Sequence, residues 1–448
     1  MNRQSARETA LDLLLSISKN KSYSQIALNE MLSSASLNGR DKALVTTLVY
    51  GVLQHSRTLD YILAFYVSGK KPDLWVDLLL RLSLYQKIYL DRIPDHAIVN
   101  EAARIAGKRG HHGIVGFVNA VLRRFLREGV PDLNRIQPES KRLSIQYSHP
   151  EWLLSLWAGQ WDSDTAVKIA ESDNQAPPSF VRVNRLHTDR HELEAILEQD
   201  GMQTEPGRLS PDCLEIKGGH IAGTRAFATG LMTIQDESSM LVADAVAPEK
   251  GMTVLDACAG PGGKTTHLGE RMQNSGQIIA LDLHEHKTKL IDQSAKRLGV
   301  TNIRTKAMDA REAGSFFSPA SFDRLLLDVP CSGLGVIRRK PEIRWDKSPE
   351  DLGHLAEIQN ALLERTSTLV RSGGWLVYST CTVNRDENDR RLTGFLSRHP
   401  EFEWEPDFFR RLPEALKQCR VTPDSSMIQL FPFQFNTDGF FIGCLRRK

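Results

Sequence analysis

Leu255-Asp256-Ala257-Cys258-Ala259-Gly260-Pro261-Gly262-Gly263-Lys264-Thr265-Thr266 stands between the apolar run Met252-Thr253-Val254-Leu255 and the segment His267-Leu268-Gly269-Glu270-Arg271-Met272. The first flank reads as a buried strand and the second as a helix, which puts the glycines at a strand-to-helix turn. Glycine there lets the backbone come close to a ligand. A helix start offers free N–H groups to polar or anionic atoms. This is the place of a nucleotide-type ligand at the carboxyl end of a strand. The pattern is neither the phosphate-cradling GxxxxGK(S/T) nor the dinucleotide GxGxxG, which argues against a nicotinamide dehydrogenase.

The strands that follow carry acids at their ends. Asp282 closes Gln277-Ile278-Ile279-Ala280-Leu281, where an acid commonly holds a ribose hydroxyl pair. Asp309 follows the run 303–308, and Asp328 follows Leu325-Leu326-Leu327. Strands and helices alternate from 253 to 382, which predicts an α/β, mostly parallel, doubly wound sheet. The runs 427–433 and 439–445 predict an antiparallel pair added to it. Two cysteines fall just past strand ends on the same edge: Cys331 in Asp328-Val329-Pro330-Cys331-Ser332-Gly333, and Cys381 in Ser379-Thr380-Cys381-Thr382. Adjacent carboxyl ends can bring two residues 50 apart in sequence into one pocket.

Upstream, the chain changes character. Residues 4–127 are helical by periodicity, with Ala10, Leu11, Leu13, Leu14, Leu15 and Ile17 on one face and Ile26, Leu28, Met31 and Leu32 on another. Residues 41–67 read as one long periodic segment, and 74–90, 96–106 and 113–126 continue the pattern. Residues 128–145, with Gly129, Pro131 and Pro138, read as a linker. Strands at 180–184 and 213–216, with a helix at 191–200, read as a small α+β piece; Asp236 or Ser238 is placed to cap the next helix. The domains expected are 1–130, 131–235 and 236–448.

At 448 residues and 41% hydrophobic content, several cores are expected. No run of about 18 apolar residues predicts a membrane span, and Met1-Asn2-Arg3-Gln4 opens no signal-peptide pattern. A cytoplasmic protein is expected. The six cysteines show no CxxC spacing, so no metal is called; Cys213, Cys419 and Cys444 read as small core residues. The net charge of +2 is uneven. Residues 1–150 hold 21 Lys and Arg against 13 Asp and Glu, or +8, which leaves −6 for the rest. A basic module on a mildly acidic body points to nucleic acid.

The front resembles the RNA-binding antitermination factor NusB, most clearly in Asp95-His96-Ala97-Ile98-Val99-Asn100-Glu101-Ala102 and Gly116-Phe117-Val118-Asn119-Ala120-Val121-Leu122-Arg123. The series DACAGPGGKTT, LDLHEHK, DVPCSG and STCTV resembles the RNA cytosine-5 methyltransferases. Together they are similar to the bacterial Sun/Fmu family across nearly the whole chain. That resemblance implies a seven-stranded methyltransferase sheet, S-adenosyl-L-methionine as cofactor, and cytosine 967 of 16S ribosomal RNA as target. It implies a cofactor site of Cys258, Ala259, Gly260, Pro261, Gly262, Gly263, Lys264, Asp282 (ribose), Asp309 (adenine side) and Asp328. Gly260 stands where the family usually has Ala, a swap expected to matter little. Arg338, Arg339, Lys340, Arg344 and Trp345, within 333–360, fit the family's substrate-facing loop.

Carbon 5 of cytosine is a poor nucleophile. A thiolate adding at carbon 6 makes an enamine whose carbon 5 can attack a methyl sulfonium. By resemblance Cys381 is that nucleophile and Cys331 assists its release; position alone does not order the two. Charge developing at N3 calls for a hydrogen bond or proton, which Asp328 supplies if its carboxyl is held protonated. The expected partner is 16S ribosomal RNA, naked or early in assembly, with no membrane, no DNA and a monomeric enzyme. The alternatives are the same reaction on transfer RNA and a non-catalytic RNA-binding or antitermination factor.

Overall fold

The computed structural model describes residues 5–20, 28, 31–32, 37–67, 69 and 72–448. The expectation for Ile26 lies outside the described residues. The chain divides into two compact units, Met1–Ala176 with Ile337–Asp346, and Pro177–Val336 with Lys347–Lys448.

The first unit is helical. The helices Ala6–Asn20, Gly39–Gln54, Ser56–Tyr66, Leu74–Tyr89, Asp95–Arg109 and His112–Glu128 close over a core that includes Leu11, Leu14, Leu48, Val52, Leu79 and Phe125. The segment 41–67 is two helices rather than one. His55 leaves helical geometry (φ −103°, ψ 17°), and its ring stacks on Tyr89 with centroids 4.0 Å apart. Tertiary packing of one ring thus overrides a continuous apolar period. The expected linker is also folded: it holds a 3-10 turn, Leu133–Arg135, and a helix, Glu139–Gln146. Thr58 Oγ1 donates to Ile145 O at 2.5 Å, and Ile136 and Ile145 are buried. Its Gly and Pro residues mark turns between packed pieces, not a free tether.

The basic stretch after Cys331 requires a correction. Residues 337–346 belong to the helical unit, and Arg338 and Arg344 are fully buried there. Arg344 donates to Gln54 O, Ser148 O and Asn174 Oδ1 at 2.9–3.0 Å and to Asp173 O at 3.2 Å. A guanidinium spent on four protein acceptors is unavailable to a phosphate. Only Trp345 of the named residues is exposed.

The second unit contains two sheets. The small one is antiparallel in the order β2-β3-β1-β4, built from β1 (Ser179–Val183), β2 (Gln203–Pro206), β3 (Cys213–Lys217) and β4 (Met232–Ile234). The large one contains β5 (Thr253–Asp256), β6 (Gln277–Asp282), β7 (Ile303–Ala307), β8 (Phe322–Asp328), β9 (Val370–Thr380), β10 (Phe402–Trp404), β11 (Met427–Leu430) and β12 (Phe440–Arg447). Its order is β10-β12-β9-β8-β5-β6-β7, with β11 also on β12. The strands number eight in seven positions, because β10 and β11 share one edge of β12. β5 to β9 run parallel, and β12 returns antiparallel to β9. Alternate residues serve opposite faces: Leu255, Leu325, Leu327, Leu376 and Tyr378 pack on one, Val254, Leu326 and Val377 on the other. The order reverses between β5 and β8, and a ligand crevice forms outside the carboxyl ends at such a switch point. Asp236 caps the helix Glu237–Val246, accepting from Ser238 N at 2.9 Å.

Candidate active site

The turn after β5 is closed by main-chain bonds. Ala259 N donates to Leu281 O at 2.7 Å and Gly262 N to Ala259 O at 2.8 Å. Gly262 holds φ at +104°, and the helix Gly263–Arg271 starts from it with no side-chain cap. The first-turn N–H groups are therefore not taken by a capping side chain. Gly260 N donates to Asp282 Oδ2 at 3.1 Å, and Asp282 Oδ1 accepts from His284 N at 2.9 Å. Asp256 accepts from Thr265 Oγ1 at 2.7 Å through one oxygen, while its other oxygen is buried without a partner. Burial pushes Asp256 up to about 7, against the Thr265 bond and helped by the charge of Asp328. Asp309 sits two residues past β7. Its hydrogen bond to Arg311 holds its carboxyl below the usual range.

The turn is anchored from the small sheet by Arg182 of β1, which is fully buried. Its five N–H groups reach Glu270 (3.1 and 2.6 Å), Thr266 Oγ1 (3.1 Å), Gly263 O (2.7 Å) and Gln235 Oε1. Neither Arg182 nor Glu270 was singled out in the sequence. Their charge pairing is invisible at a spacing of 88 residues.

Cys331 and Cys381 meet: their Sγ atoms are 3.2 Å apart. The bond to Cys381 is the first cause that keeps the Cys331 thiol well above its ordinary value, followed by burial and by the charges of Cys381 and Glu387. Either sulfur of the pair can be the donor in this contact. Beside the pair, Lys264 Nζ donates to Asp328 Oδ2 at 2.7 Å and lies 5.1 Å from the Phe440 ring centre. Burial opposes the Lys264 charge, yet Asp328, and then Cys381 and Asp256, hold it above the ordinary lysine value. Asp328 Oδ1 accepts from Ser379 Oγ at 2.8 Å. Both Asp328 oxygens therefore accept, and the proton donor at this position is the Lys264 ammonium.

The third cysteine in the crevice, Cys258, is pushed up by burial and then by Asp256, Asp328 and Asp282, so it stays a thiol. Cys213, Cys419 and Cys444 are buried, and burial raises all three, Cys419 to about 11 and Cys444 to about 12. Among the described residues no cluster of three or more His, Cys, Asp or Glu could hold a metal, and no helix is long and apolar enough to cross a membrane.

Three family models match the chain in succession: "NusB family" over residues 4–127, "Methyltr_RsmF/B-like, ferredoxin-like domain" over 149–221, and "16S rRNA methyltransferase RsmB/F" over 243–446. A Bacillus subtilis (strain 168) protein named "Probable ribosomal RNA small subunit methyltransferase B" is 46% identical over the full length of both chains. The chain belongs to this methyltransferase family. An Escherichia coli O6:K15:H31 member named "Ribosomal RNA small subunit methyltransferase B" is 34% identical over 92% of each chain. The crystal structure of PH0851 superposes with a TM-score of 0.84 at 26% identity, covering 100% of this chain and 99% of that one. A methyltransferase homolog from Pyrococcus horikoshii gives 0.59 at 27%, covering 70% of this chain and all of its own.

The family's cofactor is S-adenosylmethionine, and the crevice fits it. An uncapped helix start, the Asp282 carboxylate and the unfilled oxygen of Asp256 offer donors and acceptors for a zwitterionic nucleoside.

Proposed function

We propose that this enzyme methylates carbon 5 of a cytosine in 16S ribosomal RNA, cytosine 967, in the cytoplasm, on naked or early-assembling RNA. The observation that carries the chemistry is the 3.2 Å approach of Cys331 and Cys381 beside the Lys264–Asp328 pair.

S-adenosylmethionine, when bound, would supply an electrophilic methyl group with a neutral thioether as the leaving group. Cys381, as thiolate, adds to carbon 6 of the unstacked base. The Lys264 ammonium meets the negative charge that moves onto the ring at N3 and O2. Asp328, an acceptor on both oxygens, suits the exocyclic amino group. Carbon 5 then takes the methyl group. Its proton passes to water, the C5–C6 double bond re-forms, and the C6–S bond breaks to return the Cys381 thiolate. Cys331 stands within hydrogen-bond distance of that departing sulfur. Asp282 would hold the ribose hydroxyls of the cofactor and Asp309 its adenine side. Gly260, Pro261 and the backbone from Cys258 to Lys264 line the rest. The basic helical unit supplies phosphate contacts of salt-dependent strength.

Covalent trapping tests the reading. Cys331→Ala and Cys381→Ala are expressed in cells and denatured, and the RNA that stays attached is sequenced. Cys331→Ala is expected to retain an adduct that contains cytosine 967, and Cys381→Ala none. An adduct on Cys381→Ala alone reverses the roles. Transfer RNA in the adduct moves the substrate. No adduct, with wild-type protein inactive on unmodified ribosomal RNA, leaves a binding protein.

A further inference from the structure

Behind the two cysteines lies a fully buried carboxylate that the chemistry above does not use. Glu387 receives four hydrogen bonds. Ser332 N (2.8 Å) and Gln359 Nε2 (2.9 Å) donate to Oε2; Ser332 Oγ (2.5 Å) and Asn384 Nδ2 (3.0 Å) donate to Oε1. None of the four donors is cationic. Ser332 follows Cys331 directly, and Asn384 lies three residues past Cys381. Gln359, on the helix Pro349–Ser367, also donates to Pro330 O at 3.0 Å, on the other side of Cys331. Ser332 Oγ meets Thr382 Oγ1 at 2.8 Å, which joins the residues immediately after each cysteine. The main chain of Glu387 is itself fixed: its carbonyl accepts from Tyr378 Oη of β9 at 2.7 Å.

We propose that Glu387 is the positioning residue of the cysteine pair, gathering the loops after β8 and β9 onto one buried carboxylate and so holding Cys331 Sγ against Cys381 Sγ. The assignment rests on the roles given to the two cysteines above. A carboxylate suits the place because four donors converge on two oxygens that only accept. A buried ionised acid persists only when its lone pairs are filled. Glutamine matches the shape but turns an NH2 toward two of the donors. The consequence for the reaction falls on release. When the C6–S bond breaks, the Cys331 S–H donates to the departing Cys381 thiolate, provided the two sulfurs remain in register. The negative charge of Glu387 also helps keep Cys331 protonated for that contact.

Glu387→Gln and Glu387→Asp test this on the full-length enzyme. Five quantities are read: kcat and KM on unmodified 16S ribosomal RNA, S-adenosylhomocysteine affinity by calorimetry, the fraction of RNA covalently retained after denaturation, and the rate at which diamide oxidises Cys331 and Cys381 to a disulfide. Diamide takes two electrons and two protons from the thiols and becomes the hydrazine, so the last rate reports sulfur proximity without RNA. Glu387→Gln is expected to lower kcat by about 10- to 100-fold, the usual penalty for about 1 Å of misplacement. The KM for RNA and the S-adenosylhomocysteine affinity stay within threefold, RNA adduct accumulates as in Cys331→Ala, and disulfide closure slows at least tenfold. Glu387→Asp, which keeps four acceptor sites on a shorter arm, recovers part of each loss. Wild-type kcat and closure rate in Glu387→Gln overturn the proposal, as does a kcat loss accompanied by an equal loss of cofactor affinity. If Cys331→Ala traps no adduct, the cysteine roles fall, and the disulfide rate still decides whether Glu387 sets the pair.

Discussion

Between Asp256 and Gly263 the crevice is shaped by main chain: carbonyls, N–H groups and one left-handed residue close the turn, and the Asp282 and Arg182 side chains tie it from neighbouring elements. A few residues away on the same sheet edge, Cys331 and Cys381 are held differently. Their loops are tied by Ser332, Thr382, Asn384, Glu387 and Gln359 through side chains that are all buried. The cofactor half must present fixed N–H groups to a ligand that enters and leaves. The cysteine half must keep two reactive atoms at one separation while a covalent bond forms and breaks on one of them. Backbone turns serve the first need and a satisfied polar hub the second.

If this division is real, the two halves should fail separately. The largest effect is expected from Gly262→Ala. The backbone there sits at φ +104°, and an added Cβ meets Ile291 Cα at 3.1 Å. Strain of about 1–3 kcal/mol is typical of such a position, enough to raise the S-adenosylhomocysteine Kd by roughly 10- to 100-fold. The diamide closure rate of the cysteine pair should stay at the wild-type value. A fall in both would join the halves. Arg182→Lys should act in the same direction but less. Lysine keeps the charge opposite Glu270 but cannot fill five directions, and the carbonyl of Gly263 keeps only the longer of its two side-chain donors, Thr266 Oγ1 at 3.1 Å. A rise of about five- to tenfold in the same Kd is expected. Arg297→Lys, which removes contacts to Phe227 O, Met232 O and Thr233 Oγ1, the last paired with Arg182 across the strands, touches none of the turn residues and should leave the Kd unchanged.

Legibility in the sequence follows the same line. The cofactor turn was readable because a backbone requirement selects a residue type: glycine at a left-handed angle, acids at strand ends, apolar runs between them. The parallel order of β5 to β9 came with it. The cysteines were readable as belonging to one edge, but their 3.2 Å contact is set by a β8–β9 register that only the sheet supplies. Glu387, Gln359 and Arg182 left no signal, because a buried polar or charged side chain looks like a solvated one until its partners are known. Arg344 errs in the opposite sense: in a run of basic residues it fits a substrate-facing loop, yet it is the centre of a buried cluster. The break at His55 was hidden because apolar spacing continues across it.

Gly260 is where reading and geometry diverge by the smallest margin, and it sharpens the comparison most finely. By size alone, glycine in place of alanine here looks neutral. In the structure a Cβ at this position lies 2.5 Å from Asp282 Oδ2 and 2.7–2.8 Å from the Lys287 side chain. The absence of that atom lets the carboxylate reach the Gly260 N–H. An alanine would fit only after Asp282 and Lys287 both shift, and Lys287 meets it through both its Cδ and its Cβ. Because the φ of Gly260 is not left-handed, backbone strain adds nothing, and the cost is confined to these contacts. Gly260→Ala should therefore raise the S-adenosylhomocysteine Kd only about two- to fivefold and leave kcat at saturating cofactor unchanged. Adenosine should weaken in parallel, because the disturbed carboxylate is the one assigned to the ribose. If adenosine affinity holds while S-adenosylhomocysteine affinity falls, Asp282 serves another part of the ligand, and the ribose must be held elsewhere on the turn.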